Sequence, residues 1–328
     1  MAPHPDDESI AAGGLLQVAK AAGAAVRVIV LTDGDNNPWP QRWVEKRLRI
    51  DAAARARWGA RRREEAVAAL ALLGIPLGDV RFLALPDTGV TDVLMRDDQQ
   101  IADILRGEAA SFAPTVLVAP ALSDRHPDHS AAYILATRAC EAAGRMPSRI
   151  LTFAVHGDAP QEGGAVVNLS AAQRSVKYEA IRAHATQMRL SGKRFLKFAQ
   201  VQESYRWMPH PPQPNAHIPL RASLADDVLT VRIDTTMWRG TLRNHQLLIA
   251  AQSDKASIRK AIFPLARDAQ IVDTITRTSA GVVDVKHGLG GIVITVRIAG
   301  PVQSGYVKVA RTTPAIWVFD RYGWQAIG

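Results

Sequence analysis

Thr115-Val116-Leu117-Val118-Ala119-Pro120-Ala121-Leu122-Ser123-Asp124-Arg125-His126-Pro127-Asp128-His129 is an apolar run that empties into a polar block, and the helical pattern Ala131–Ala143 follows. The β-branched and apolar residues of Thr115–Ala119 suit a strand buried on both faces. Pro127 suits a first helical turn, because its missing N–H would have no partner there. Strand, chemically equipped loop, helix is the unit of a parallel sheet covered by helices, whose ligands gather at the carboxyl ends of strands. Working outward, Val26–Leu31, Val80–Leu85 and Ile150–Val155 read as strands of the same kind. Between the runs lie the helical patterns Ile10–Ala22, Arg61–Leu73 and Gln99–Ala110. This alternation, with right-handed crossovers, predicts an α/β fold, a Rossmann-like parallel-sheet sandwich. No Gly-x-Gly-x-x-Gly fingerprint follows any of these strands, which argues against a nucleotide cofactor.

The polar block has a counterpart at the start of the chain, His4-Pro5-Asp6-Asp7-Glu8. His4 and Asp7 are three apart, as are His126 and His129, so each pair shares one face of a helical turn. Two imidazoles and one carboxylate drawn from the two blocks leave a fourth position open, as a catalytic zinc requires. Asp6 points away from the ligand face and is left to work on water, and His126 with Asp128 makes an acid and its orienter. Together these are the parts for metal-assisted hydrolysis. Either block alone is a common turn string, since Asp and Pro are turn formers. The two together, one after a strand and one at the chain start, carry the reading.

Further segments fall in order around the blocks: Leu31-Thr32-Asp33-Gly34, Arg62 and Glu65 ahead of Leu73-Gly74, Leu85-Pro86-Asp87, and Lys177-Tyr178-Glu179-Ala180-Ile181-Arg182-Ala183-His184-Ala185-Thr186-Gln187. With Ala2-Pro3-His4-Pro5-Asp6-Asp7-Glu8 and His126-Pro127-Asp128-His129, the first two thirds of the chain resembles the LmbE/PIG-L family of zinc-dependent N-deacetylases, which remove acetyl from N-acetylglucosamine conjugates. The resemblance implies that His4, Asp7 and His129 hold Zn2+. It implies that Asp6 is the general base on the attacking water. His126, with Asp128 beside it, would steady the oxyanion or protonate the leaving amine. Arg62 and Asp87 resemble positions that hold sugar hydroxyls; a solvated helix charge at Arg62 and a turn role at Asp87 stand as rival readings. Mixed His and carboxylate ligation suits zinc, and iron(II) also fits. In the family a hydrophobic strand leads into the first motif, whereas here only Met1, Ala2 and Pro3 precede His4. The expectation is a poorly anchored His4, with an export signal left open.

The 328 residues, 47% of them hydrophobic, suffice for a large core and two domains. A single cysteine, Cys140, excludes an intramolecular disulfide, fits a reducing cytoplasm, and reads as a core residue. No apolar run is long enough to span a bilayer. The formal charge is +9, with basic residues concentrated between Arg42 and Arg63. That run reads as a solvated helix face or as a surface for an anionic substrate such as a lipid- or nucleotide-linked amino sugar. Nucleic acid ranks last, since no nucleic-acid motif accompanies it. The long Trp39–Trp58 segment reads as a lid or wall over the metal.

Met208-Pro209-His210-Pro211-Pro212-Gln213-Pro214-Asn215 cannot sit in a helix or central strand and reads as a linker. The expected domains are 1–207, catalytic; 208–216, linker; and 217–328, an all-β sandwich. Its strand-like runs are Leu229–Ile233, Gln246–Ala251, Ile271–Thr276, Val282–Val285, Ile292–Ile298, Tyr306–Val309 and Ile316–Phe319. It carries no metal or nucleophile constellation, and His287, Trp317, Tyr322 and Trp324 read as core and turn residues. Two functions of different class remain: a zinc-dependent amide hydrolase, acting on an acetyl group or a larger sugar amide, and a non-catalytic sugar- or glycolipid-binding module on the same fold. The sequence leaves the oligomeric state open.

Overall fold

The computed structural model describes residues 1–157, 164–214, 218–225, 228–234, 244–252, 258–264, 272–273, 281–288, 291–298, 304–312 and 318–328. In chain order the elements are α1 (Asp7–Ala21), β1 (Val28–Thr32), α2 (Pro38–Glu45), α3 (Ala52–Leu72), β2 (Val80–Leu85), α4 (Val90–Arg96), α5 (Gln99–Phe112), β3 (Val116–Pro120), α6 (Pro127–Ala142) and β4 (Arg149–Phe153). They continue with β5 (Gly164–Asn168), α7 (Ala171–Ala183), α8 (Ala185–Leu196), β6 (Gln202–Trp207), β7 (Leu220–Ala225), β8 (Val228–Asp234), β9 (His245–Gln252) and β10 (Ile258–Pro264). The last are β11 (Val272–Asp273), β12 (Gly281–Gly288), β13 (Gly291–Ile298), β14 (Ser304–Arg311) and β15 (Gln325–Ala326). The four strands and four helices expected up to β4 all form; α3 begins at Ala52, well ahead of the expected Arg61, and the other ends shift by a few residues. The expected run Ile271–Thr276 falls largely outside the described residues and half of Ile316–Phe319 does, as do Trp317 and the side chain of His287. Two compact units result. The first comprises Met1–Val90, Pro114–Ala121 and Pro147–Trp207, and the second Thr91–Ala113, Leu122–Met146 and Met208–Gly328.

In the first unit β1 pairs with β2 and β3 with β4, both parallel, and β6 joins β4 and β5 antiparallel. Residues 1–3 lie alongside β1: Ala2 bridges Val30, with Ala2 N–H donating to Ile29 O at 2.8 Å and Leu31 N–H to Ala2 O at 2.9 Å. The Met1 amine donates to Val118 O of β3 at 2.7 Å. His4 is therefore reached through backbone pairing, and the expected loose anchoring is not seen. Val28, Val30 and Val80 pack under Ala69, Leu70 and Leu73 of α3 and Ala180 of α7.

Local sequence explains the helix ends. The Asp51 carboxylate accepts Ala54 N–H at the start of α3, and Ser170 with Gln173 forms a reciprocal capping box on α7. The helical stretch after Ser170 is broken at His184, whose backbone leaves the helical region between α7 and α8. Behind α1, Lys177 reaches Glu203 at 2.5 Å, while the Glu203 carboxylate also accepts Gly14 N–H at 2.6 Å, Leu15 N–H at 2.8 Å and Tyr205 O–H at 2.7 Å. This buried cluster fixes the helix that carries Asp7.

The second unit contains two antiparallel sheets, β12-β13-β8-β7 and β11-β10-β9-β14-β15. Leu229, Val231, Ile233, Ile292, Ile294 and Val296 of one share a core with Leu247, Ile249, Val307 and Val309 of the other. Helix α6 belongs here: Arg138 donates to Ala250 O of β9 at 3.1 Å, and Glu141 pairs with His210 at 2.6 Å. Cys140 is buried on α6, and burial pushes its thiol up to about 11. Among the described residues no helix is long and apolar enough to cross a membrane.

Candidate active site

The two polar blocks fall in different units. In the first, the chain passes from Pro3 through His4, Pro5 and Asp6 into α1. Asp6 adopts φ 139°, a region that L residues with side chains occupy only at a cost of about 1–3 kcal/mol. The turn is held from several sides. His4 N–H donates to Asp7 Oδ2 at 2.9 Å, and Asp6 N–H donates to Glu8 Oε2 at 3.0 Å. His4 lies between two carboxylates, its Nδ1 3.2 Å from Asp7 Oδ2 and its Nε2 3.3 Å from Asp87 Oδ1.

Arg62 is 5% exposed, so it is no solvated helix charge. Its Nη2 donates to Asp6 Oδ2 at 2.9 Å and to Pro5 O at 2.8 Å, and its Nη1 to Gly34 O at 2.7 Å. Gly34 has φ +62°, and a Cβ there would meet Arg62 Nη1 at 1.7 Å. The Thr32-Asp33-Gly34 string therefore makes room for a guanidinium. Burial pushes the Asp6 carboxyl up to about 6; the Arg62 charge pulls it down and Asp7 adds to the rise.

Asp87 follows β2 in a turn, and its carboxylate also accepts Asn36 N–H at 2.8 Å. Burial would raise its pKa, but the hydrogen bond and charge of His4, with the charge of Arg62, hold it below the usual carboxylate value. The turn role considered from sequence is seen, and the turn aims the carboxylate at His4.

His184, left out of the sequence-derived set, stands beneath the block. His184 Nε2 lies 3.1 Å from Glu8 Oε1 and 3.1 Å from Ser9 Oγ, fully buried. Burial lowers the His184 pKa, but hydrogen bonding and the charge of Glu8 outweigh it and raise the imidazole above its ordinary value. The break between α7 and α8 is what delivers this ring.

In the second unit Asp124 organises the other block. Its Oδ1 accepts His126 N–H at 2.9 Å, and its Oδ2 lies 3.2 Å from His129 Nδ1. A proton on Nδ1 facing that carboxylate makes Nε2 the lone-pair nitrogen of His129, the second-sphere arrangement that metal-ligating histidines use. His126 caps α6: its Nδ1 accepts Asp128 N–H at 3.2 Å, which assigns the ring proton to Nε2. The backbone N–H of Asp128 thus orients His126. The rings of His126 and His129 are 5.0 Å apart. Asp124 was not singled out from sequence; its signal is an Asx turn, an Asp two residues before the N–H it captures.

Among the described residues, side chains that could serve as metal ligands are His4 and Asp87 in the first unit and His126, Asp128 and His129 in the second, all buried. Elsewhere in the first unit α2 and the turn after it line a cavity of about 600 Å³ with Arg42, Trp43, Lys46, Arg47, Leu48 and Arg189.

Residues 1–140 match the PIG-L family, GlcNAc-PI de-N-acetylase. The chain is 31% identical over 227 residues to a 1D-myo-inositol 2-acetamido-2-deoxy-alpha-D-glucopyranoside deacetylase of Mycobacterium sp. (strain KMS), covering 56% of this chain and 72% of the relative. The protein of the same name from Mycobacterium sp. (strain JLS) gives the same values.

Proposed function

This chain belongs to the PIG-L family of de-N-acetylases and is a deacetylase of an N-acetylglucosamine conjugate, and we propose that it works as a zinc-dependent amide hydrolase with Asp6 as its base. The observation that carries the assignment is the state of Asp6: buried, gripped by Arg62, in a rare backbone conformation and with a carboxyl pushed up to about 6. A base is most useful when its pKa lies near the working pH, and strain of this kind concentrates at functional sites.

His4, Asp7 and His129 would hold the ion. The donor set fits: two imidazoles and a carboxylate suit zinc, and the Nδ1 of His129 already faces a carboxylate. Asp87 is the carboxylate on the Nε2 side of His4, which supports a second assignment with Asp87 in place of Asp7. When bound, the ion supplies Lewis acidity toward water and the amide carbonyl. Asp6 takes the proton from the attacking water, and Arg62 holds the resulting carboxyl in place. His126, with its proton on Nε2, donates a hydrogen bond to the developing oxyanion, and the proton that Asp6 has taken from water passes to the leaving amine as the C–N bond breaks. Asp128 sets the His126 tautomer through its N–H.

The relatives' names make an inositol-linked N-acetylglucosamine the first substrate to test, and the basic cavity by α2 supports an anionic group on the conjugate. We assign residues 1–207 as the region that carries most of the catalytic apparatus, 208–216 as a linker, and 217–328 as an accessory β-sandwich, supported by the core its two sheets share.

The test is metal analysis with acetate release from N-acetylglucosamine conjugates, with and without chelator. About one zinc per chain and chelator-sensitive acetate release are expected. Asp6→Ala should keep the metal and lose turnover, and metal loss in Asp7→Ala but not Asp87→Ala would select the first ligand set. A folded, metal-free chain that releases no acetate would overturn the proposal in favour of a sugar-binding module.

A further inference from the structure

The segment after β14 lies directly on the loop that carries Asp124 and His126. Asp320 N–H donates to Arg125 O at 2.8 Å, and Arg125 Nε donates back to Asp320 O at 3.3 Å. The Phe319 ring meets His126 edge-on, with centroids 5.9 Å apart and planes at 75°. A Cβ at Gly323 would strike Leu122 O at 2.2 Å and Asp124 O at 2.8 Å, so only glycine lets the two backbones approach this closely. From β14, the buried Lys308 ammonium reaches Asp320 Oδ2 at 2.6 Å and Ser130 Oγ at 3.5 Å, and sits 5.8 Å over Trp324. Those contacts fall on 122–130, the stretch that holds the His129 orienter and the His126 ring.

We propose that residues 319–324, pinned by Lys308, form a strap that positions His126 for catalysis. Phe319 fixes the tilt of the His126 ring, and the Arg125–Asp320 backbone pair fixes the loop on which Asp124 and His126 hang. A charged lysine is an expensive way to staple a core, because a buried ion pair gains little over an apolar replacement. Its targets here are one residue from His129 and the segment beside His126, which gives the cost a use in orientation. This assigns a role to a region in which no chemistry was expected from sequence. Residues 319–324 also lie beyond the 1–140 that match the family.

The inference rests on the proposed role of His126, so the test has two readouts on the full chain. In acetate-release kinetics, Phe319→Ala should lower kcat about three- to tenfold with KM and metal content within twofold, and Phe319→Tyr should restore it. In spectra of ¹³C-histidine-labelled protein, assigned with a His126→Gln variant, Phe319→Ala should shift the His126 ring signals. Asp320→Asn should broaden them, giving a second variant if Phe319→Ala folds poorly. Wild type without acetate release would refute the functional reading, while the His126 signals would still decide the strap. Unmoved His126 signals in both variants, or an active enzyme whose kcat ignores Phe319→Ala, would overturn the strap.

Discussion

Replacing Arg62 by Ala should do two separable things, and both follow from what its guanidinium touches. Arg62 donates to Asp6 Oδ2, Pro5 O and Gly34 O, all at 2.7–2.9 Å and out of solvent. Removing it strands the Asp6 carboxylate without its cation. Loss of one partner from a buried pair costs about 3–5 kcal/mol, which for a chain of this kind lowers Tm by roughly 6–20 °C. The same loss removes the main influence that holds the Asp6 pKa down against burial. An arginine beside a carboxylate depresses its pKa by about one to three units, so the acid limb of kcat/KM should move upward from about 6 by that amount. At pH 7 this leaves less of Asp6 ionised and cuts kcat/KM by roughly two- to a hundredfold, recovering as the pH rises. Arg62→Lys keeps a charge but not the planar fork, and should restore part of the acid limb while remaining less stable than wild type. The assays are a pH series of acetate release under saturating metal and a thermal melt at each pH. An Arg62→Ala enzyme whose acid limb stays with that of wild type would refute the reasoning, even if its Tm fell.

Three further outcomes are expected. Asp6→Asn should abolish acetate release and flatten the pH dependence of stability, while leaving the buried Arg62 without its anion at every pH. The folded pKa of about 6 exceeds the ordinary 3.8, so the folded chain binds the extra proton and wild type loses stability as pH rises through that window, by about 3 kcal/mol, while the Asn variant does not. Melts at pH 4 and pH 8 that show the same difference between the two proteins would contradict this. Asp124→Asn should weaken metal binding about 10- to 100-fold through His129, read by competition with a chromogenic chelator; affinity within twofold of wild type would count against the orienting role. Gly34→Ala should reproduce the shifted acid limb of Arg62→Ala, because its Cβ would occupy the guanidinium site. A normal pH profile in that variant would show that Arg62 can be held elsewhere.

The sequence by itself determined four strands and four helices up to β4 and the identity of the two polar blocks. The reason is local: apolar β-branched runs, capping residues and Pro at helix starts act within a few residues, and motif spacing places donors on one face of a turn. The family resemblance rested on the same short strings. What only the tertiary structure decided was which partner each polar group meets. Arg62 and Asp6 are 56 residues apart, His184 and Ser9 are 175 apart, and no periodicity connects them. Arg62 read equally well as a surface charge because a helix pattern does not say which arginine a neighbouring turn will bury. Asp87 could be aimed at His4 only once β2 lay beside β1. The grip of 319–324 on the His126 loop joins segments 195 residues apart, and an accessory region that looked chemically silent is part of how that loop is held. Propensity fixes the pieces because its forces are short-ranged in sequence. Burial and the need to satisfy every buried charge fix the site, and those act on neighbours in space.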